Sequence, residues 1–244
     1  MSLATATIRT EALRHNLAIA RKAAPNSSSM AVIKANAYGH GAVEAAKALA
    51  QADAFAVARI EEALKLQQGG IDKAIVVLSE MLDAEWVEAC AEHGFQPVVH
   101  DTAGVEAILA ARGLHQMVVW LKVDTGMHRL GVVPDDCARI HGQLSACPHV
   151  NEVRLMTHFS SADKDEDTAT EDQMERFSQA TGNLSGVDRS LANSAAILSH
   201  KQSHAEWVRP GIMLYGADPL PTANDLSSQL RPVMQLQSHV IAAR

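Results

Sequence analysis

The chain has 244 residues, 47% hydrophobic and 20% charged, with a net charge of −7. Such a composition suits a globular protein with a well-buried core, and the acidic balance argues against nucleic acid or anionic membrane as partners. No apolar run approaches the roughly 20 residues of a membrane span. Cys90, Cys137 and Cys147 are odd in number and scattered, the pattern of reduced thiols in a cytoplasmic protein.

Thr5 to Ile8 reads as a short lead strand, and the apolar spacing of Leu13, Leu17 and Ala20 predicts a helix stopped by Pro25. Met30 to Ile33 is an apolar strand running into Lys34, followed by a loop with Gly39 and Gly41 and then an alanine-rich helix. The alternation repeats. Strands are expected at 54–58, 74–78, 96–99, 117–123 and 153–158. Helices fall between them at 60–67, with a Glu61–Lys65 pair, at 83–92, after an Asp101 N-cap with Gly113 as its stop, and from Pro134 through Leu144. A helix through Met174 and Phe177 follows the acidic loop after His158, and residues 190–192 and 212–214 are the last two strand candidates.

Eight short apolar strands separated by helices suit a parallel sheet buried on both faces. The economical solution is an α/β (β/α)8 TIM barrel, whose typical size of ~250 residues matches. A doubly wound open sheet is the alternative, but the dinucleotide glycine fingerprint is missing. Domain organisation is expected as a lead strand over 1–8, a barrel over 9–228, and the start of a separate β unit over 229–244, where apolar and polar residues alternate as in a half-exposed antiparallel strand.

Barrel active sites lie at the carboxyl ends of the strands. Lys34 stands there, where a partly buried amine can form a Schiff base. Lys122 ends the fifth barrel strand, in a run through Arg129 to Gly131, and a lysine buried there needs a partner or a chemical change. His158 ends the sixth. Asn193-Ser194-Ala195-Ala196 and Arg209-Pro210-Gly211-Ile212 offer a hydroxyl and backbone amides for a phosphate. The acidic stretch 163–167 lacks EF-hand spacing and reads as a solvated loop. No metal site is expected.

Together these segments, with Val32-Ile33-Lys34-Ala35-Asn36-Ala37-Tyr38-Gly39-His40-Gly41 as the most specific, resemble bacterial alanine racemase from about Ile8 to Arg244. The resemblance implies a PLP-binding barrel of the alanine racemase type: a pyridoxal 5'-phosphate-dependent isomerase that converts L-alanine to D-alanine for peptidoglycan. Lys34 would carry the cofactor and act as one of two bases. Tyr38, Ser194 and the amides of Gly211 and Ile212 would hold its phosphate. Arg129 would touch the cofactor's phenolic oxygen and the substrate carboxylate, Lys122 would be carbamylated and orient Arg129, and His158 would support Arg209 beside the pyridine nitrogen. Serine and broad-specificity racemases share these motifs.

Full-length members are homodimers whose C-terminal β domain supplies the second base, a tyrosine. This sequence stops before that motif, so the expectation is a truncated barrel that binds the cofactor but does not racemise alone. Two other readings are a single-domain pyridoxal-phosphate homeostasis protein without turnover and a barrel aldolase using Lys34 without the cofactor.

Overall fold

A computed structural model describes residues 4–113, 115–164 and 168–240. Eight parallel strands close into a barrel in chain order: β2 (Ser28–Val32), β3 (Ala54–Val57), β4 (Ile75–Val77), β5 (Gln96–Val99), β6 (Met117–Lys122), β7 (Val150–Met156), β8 (Arg189–Ser190) and β9 (Trp207–Val208). Around them lie helices that include α1 (Thr10–Ala23), α2 (Lys34–Tyr38), α3 (Ala42–Ala48), α4 (Ile60–Gln68), α5 (Ala84–His93) and α6 (Thr102–Ala110). The outer layer continues with α7 (Cys137–Ser145), α8 (Ala169–Thr181) and α9 (Ser194–Ser199).

Strand parity sorts the apolar residues. Met30, Val32, Ala54, Ala56, Val76, Val98, Trp120 and Met156 fill the barrel interior. Their neighbours Ala31, Phe55, Val57, Ile75 and Val77 face one group of helices, and Val119, Leu121 and Leu155 another. Alternate residues of a strand point to opposite faces, so both faces must be apolar when both are covered. That is why these strands read as continuous apolar runs.

Parity also places the chemistry. Lys34, Lys122, His158 and Arg209 each stand two residues after an inward residue (Val32, Trp120, Met156 and Trp207), at or just past the strand end. Each is thereby carried to the rim of the barrel mouth.

Several boundaries differ from expectation. The eighth barrel strand is Trp207–Val208, and Ile212–Tyr215 is a 3-10 turn instead of a strand; a short apolar run after Pro210-Gly211 has no periodicity that separates the two. β7 begins at Val150 and ends at Met156, leaving His158 beyond it. Helix α6 stops at an extended Ala111, before Gly113. Glu61 and Lys65 do not pair among the described residues, in keeping with the small gain of an exposed pair.

β10 (Met234–Ser238) is antiparallel as expected and pairs with β1 (Ala4–Ile8) in a separate two-stranded ribbon, but all five of its side chains are exposed instead of alternate ones, because neither face of the strand is covered. Cys90, Cys137 and Cys147 are free and buried. No helix among the described residues is long and apolar enough to cross a membrane. Most of the acidic run after His158, residues 165–167, lies outside the described residues.

Candidate active site

Lys34 opens a turn of unusual hand. Ala35, Asn36, Ala37 and Tyr38 all have φ between 52° and 54°, the left-handed region in which each non-glycine residue costs roughly 1–2 kcal/mol. Hydrogen bonds hold the turn there. The Ala37 amide donates to Ile33 O (2.8 Å), the Gly39 amide to Ala35 O (3.0 Å) and the Gly41 amide to Asn36 O (3.0 Å). The Asn36 side chain accepts from the Ala42 amide at 3.0 Å. β2 is itself pinned at its end, where the Val32 amide donates to Pro210 O and the Ile33 amide to Ala56 O. Lys34 and Tyr38 therefore leave a short, strained segment held by hydrogen bonds, and both line one cavity.

Tyr38 packs on Tyr215 with ring centroids 4.8 Å apart, and Tyr215 on His40 at 4.7 Å. The Tyr215 hydroxyl donates to Val32 O at 3.1 Å. Burial raises the pKa of both phenols, so each keeps its proton at neutral pH.

Ser194 Oγ accepts the Gly211 amide (2.8 Å) and the Met213 amide (3.3 Å). A hydroxyl has two lone pairs and one hydrogen; with both pairs taken, its own O–H must donate outward. The resemblance implied the Gly211 and Ile212 amides as phosphate donors. Here the Gly211 amide donates to Ser194 Oγ, while the Ile212 amide bonds to none of the described residues. A Cβ at Gly211 would lie 3.1 Å from the Tyr38 hydroxyl and 3.8 Å from Ser194 Oγ, so only glycine leaves this corner open. The Tyr38 hydroxyl, Ser194 hydroxyl and Ile212 amide are three donors around one small space. A tetrahedral oxyanion fits that donor set.

The opposite wall is cationic. Arg209 is buried and donates to Ser190 O (2.8 Å), Ser190 Oγ (2.6 Å), Thr157 O (2.6 Å) and Leu191 O (3.0 Å), with His158 Nδ1 at 3.4 Å. Burial pushes its pKa down to about 10, which leaves it charged at neutral pH. Burial, reinforced by Arg209 and Lys122, takes His158 down to about 2. The imidazole is neutral, and its Nδ1 faces a donor, so its proton sits on Nε2.

Lys122 is 7% exposed, and burial, Arg209 and Arg129 together lower it to about 8. Lys34 is lowered by burial and then by Arg129, with Glu62 acting the other way.

Arg129 comes from the loop after β6, which closes on itself. The Asp124 amide donates to Val132 O and the Val132 amide to Lys122 O, both at 2.9 Å. Asp124 Oδ1 accepts the amides of Gly126 and His128, each at 3.0 Å. A Cβ at Gly131 would stand 2.4 Å from Asp124 N, so the closure requires glycine. Behind it, Gln173 on α8 donates to Thr125 Oγ1 and His158 O and accepts from the Ser160 amide, locking the loops after β6 and β7 together.

Lys34, Tyr38, Lys122, Arg129, His158, Ser194, Arg209, Gly211 and Ile212 thus all line a single cavity of about 350 Å³. Met156 and Thr157, the residues leading into His158, also line it, and so do Leu78, Ser79, Asp163 and Pro219, to which the sequence assigns no role. No short motif marks them; only their places at strand ends could have done so. Among the described residues no cluster of His, Cys, Asp and Glu could hold a metal ion.

Fold and mouth together define a (β/α)8 barrel of the alanine racemase type. A family model described as alanine racemase, N-terminal domain, matches residues 8–219, and the chain belongs to that family. An alanine racemase of Azoarcus sp. (strain BH72) is 48% identical over all of this chain and 68% of its own length. The catabolic alanine racemase of Pseudomonas aeruginosa is 46% identical over the same shares. Among solved structures, the biosynthetic alanine racemase of Pseudomonas aeruginosa superposes with a TM-score of 0.92 at 40% identity, covering 97% of this chain and 66% of that one. An alanine racemase of Bartonella henselae with covalently bound pyridoxal phosphate gives 0.87 at 27% identity, over 99% and 67%. The chain therefore spans about two thirds of the length of these relatives.

Proposed function

We propose that this chain is the cofactor-holding barrel of a pyridoxal-phosphate-dependent alanine racemase, an isomerase supplying D-alanine. The observation that carries the reading is the convergence, in one cavity, of a depressed-pKa lysine with three donors grouped around Gly211. When bound, pyridoxal phosphate supplies the electron sink that acidifies the α-proton of an amino acid.

In this reading Tyr38, Ser194 and the Ile212 amide hold the phosphate, and the missing Cβ of Gly211 gives it room. Lys34 Nζ would anchor the cofactor and, once released from it, take the α-proton on its own side; burial and Arg129 lower its pKa. Arg129 binds the substrate carboxylate through its planar fork. Arg209, charged at neutral pH and backed by neutral His158, would sit beside the ring nitrogen and would not give it a proton. Lys122, with its pKa lowered to about 8, has a free-amine fraction that would add carbon dioxide, forming an N–C bond and releasing one proton to solvent. Its carbamate would be an anion between Arg129 and Arg209.

Racemisation needs bases on both faces. The chain's two tyrosines, Tyr38 and Tyr215, are both built into the barrel. We propose accordingly that the 244-residue polypeptide by itself exchanges the α-proton from one face only, and that in the full-length protein a homodimer partner completes the site. The proposed division into a barrel over 9–228 and the start of a separate β unit from 229 onwards is supported, for residues 234–238, by β10 bonding to β1 and not to the barrel sheet.

The test is α-proton exchange by NMR in deuterated water, with pyridoxal phosphate and each alanine enantiomer in turn. Exchange of D-alanine well above L-alanine, lost in Lys34→Ala, is expected. Bound cofactor with no exchange of either enantiomer would contradict the racemase reading and favour a cofactor-homeostasis barrel. Faster exchange of serine would move the substrate assignment.

A further inference from the structure

We propose that Glu62 is a positioning residue, whose carboxylate ties the left-handed turn bearing Lys34 and Tyr38 to the neighbouring β3–α4 junction and so fixes where the Lys34 amine sits. The inference rests on the proposed role of Lys34.

One carboxylate serves two loops. Its Oε1 accepts the Ala35 amide at 2.5 Å and the Asn36 amide at 3.4 Å. Its Oε2 accepts the Ala58 amide at 2.8 Å and the Arg59 amide at 3.3 Å. The second set is the reach-back half of a helix cap at the start of α4, with Glu62 at N3 accepting the amide of the N-cap residue Arg59, which needs only one oxygen. The first set reaches across to the adjacent strand's exit, since β2 and β3 are paired in the barrel. Ala35 and Asn36 are exposed, both with positive φ. Without an acceptor at that point their amides would turn to water, and an L-residue turn of this hand would lose a reason to persist.

The arrangement continues around the mouth. Glu80, 5% exposed, accepts the Ile60 amide and the Arg59 guanidinium, and the imidazole of His100 donates to Glu80 O. Successive strand exits are thus laced together, and Glu62 is the lace that ends on the reactive lysine. Its charge also bears on that lysine: burial and Arg129 lower the Lys34 pKa, and Glu62 pulls it up.

The test measures amide hydrogen exchange and pyridoxal-phosphate affinity in the wild-type chain, Glu62→Gln and Glu62→Asp. Glutamine turns an N–H2 towards one pair of amides, and aspartate is one methylene too short to reach both loops. Both variants should speed exchange at Ala35 and Asn36 at least tenfold, leave the α4 interior at Leu66 within twofold, and weaken the cofactor at least tenfold. Adding Ala35→Gly to Glu62→Gln should recover part of that affinity, because glycine enters the left-handed region without a Cβ penalty.

Unchanged exchange at Ala35 and Asn36 would overturn the proposal, as would faster exchange with unchanged affinity. Exchange speeded equally through α4 would reduce Glu62 to a helix cap, and a wild-type-like Glu62→Asp would reduce it to a charge; either result overturns it. A wild-type chain that binds no pyridoxal phosphate would remove the proposed function, while the exchange arm still decides whether Glu62 clamps the turn.

Discussion

Two arginines, one at each end of the barrel, are treated differently: Arg154 is half-buried and Arg209 is buried. Arg154, near the strand starts, lies over the rings of Trp120 and Trp207 at 5.5 and 5.1 Å. It pairs with Glu152 (2.7 Å) and Asp188 (3.6 Å). Trp207 donates to Asp188 and Trp120 to Gln96, so the floor's cation has carboxylate partners and its indole N–H groups are bonded. Arg209 at the mouth has only neutral acceptors. Among the described residues, none of Lys34, Lys122, Arg129 and Arg209 joins an ion pair.

The floor is built for stability, whereas the mouth keeps uncompensated positive charge and a left-handed turn that cost stability. Unpaired buried charge and strained backbone concentrate where a ligand is to bind. An anionic ligand would supply the compensation that the floor already has.

The sharpest break of this contrast is Trp120→Ala in the floor. Removing a fully buried indole should cost about 3–5 kcal/mol of unfolding free energy, measured by urea denaturation. A loss below about 1 kcal/mol would mean that the floor does not carry the fold.

At the mouth the sign should reverse. The folded pKa of Lys122, about 8, lies below its usual 10.5. Between those values the unfolded chain holds the extra proton, so stability rises with pH there, and below about 8 the full penalty applies. Lys122→Met should stabilise the cofactor-free chain at pH 7 by up to about 3 kcal/mol. It should also abolish that alkaline rise, taken as the difference between wild-type and variant denaturation curves. A destabilised variant would show that Lys122 is already compensated, and stabilisation of the wild type by bicarbonate would identify a carbamate as the compensator.

Gly211→Ala should leave unfolding free energy within about 1 kcal/mol yet weaken pyridoxal phosphate about tenfold, because its Cβ enters the space between Tyr38 and Ser194. Equal affinity would place the phosphate elsewhere. Smallest of all, Leu236→Ser on the ribbon, 72% exposed, should move stability by no more than about 0.5 kcal/mol.

The same contrast governs what the sequence revealed. The barrel was legible because strands covered on both faces must be apolar runs, and the runs at 30–33, 75–77 and 117–122 have no other reading beside intervening helices. The mouth was legible where residue type and strand end coincide, at Lys34, Lys122 and Arg209. The left-handed turn was not, since Ala35, Ala37 and Tyr38 carry no signature of positive φ. Glu62 carried no signal either, since Arg59 is no capping-box residue, and its second pair of amides comes from another strand's exit and exists only once the barrel closes. The β1–β10 pairing is equally non-local, and β9, two residues long, is too short for any pattern.

The most direct test of the central claim is to incubate the chain with pyridoxal phosphate, reduce with borohydride, and map the modified residue by mass spectrometry. Modification of Lys34, abolished in Lys34→Ala and reduced in Gly211→Ala, is the predicted result. Modification concentrated on any other lysine, or spread evenly over surface lysines, would contradict it.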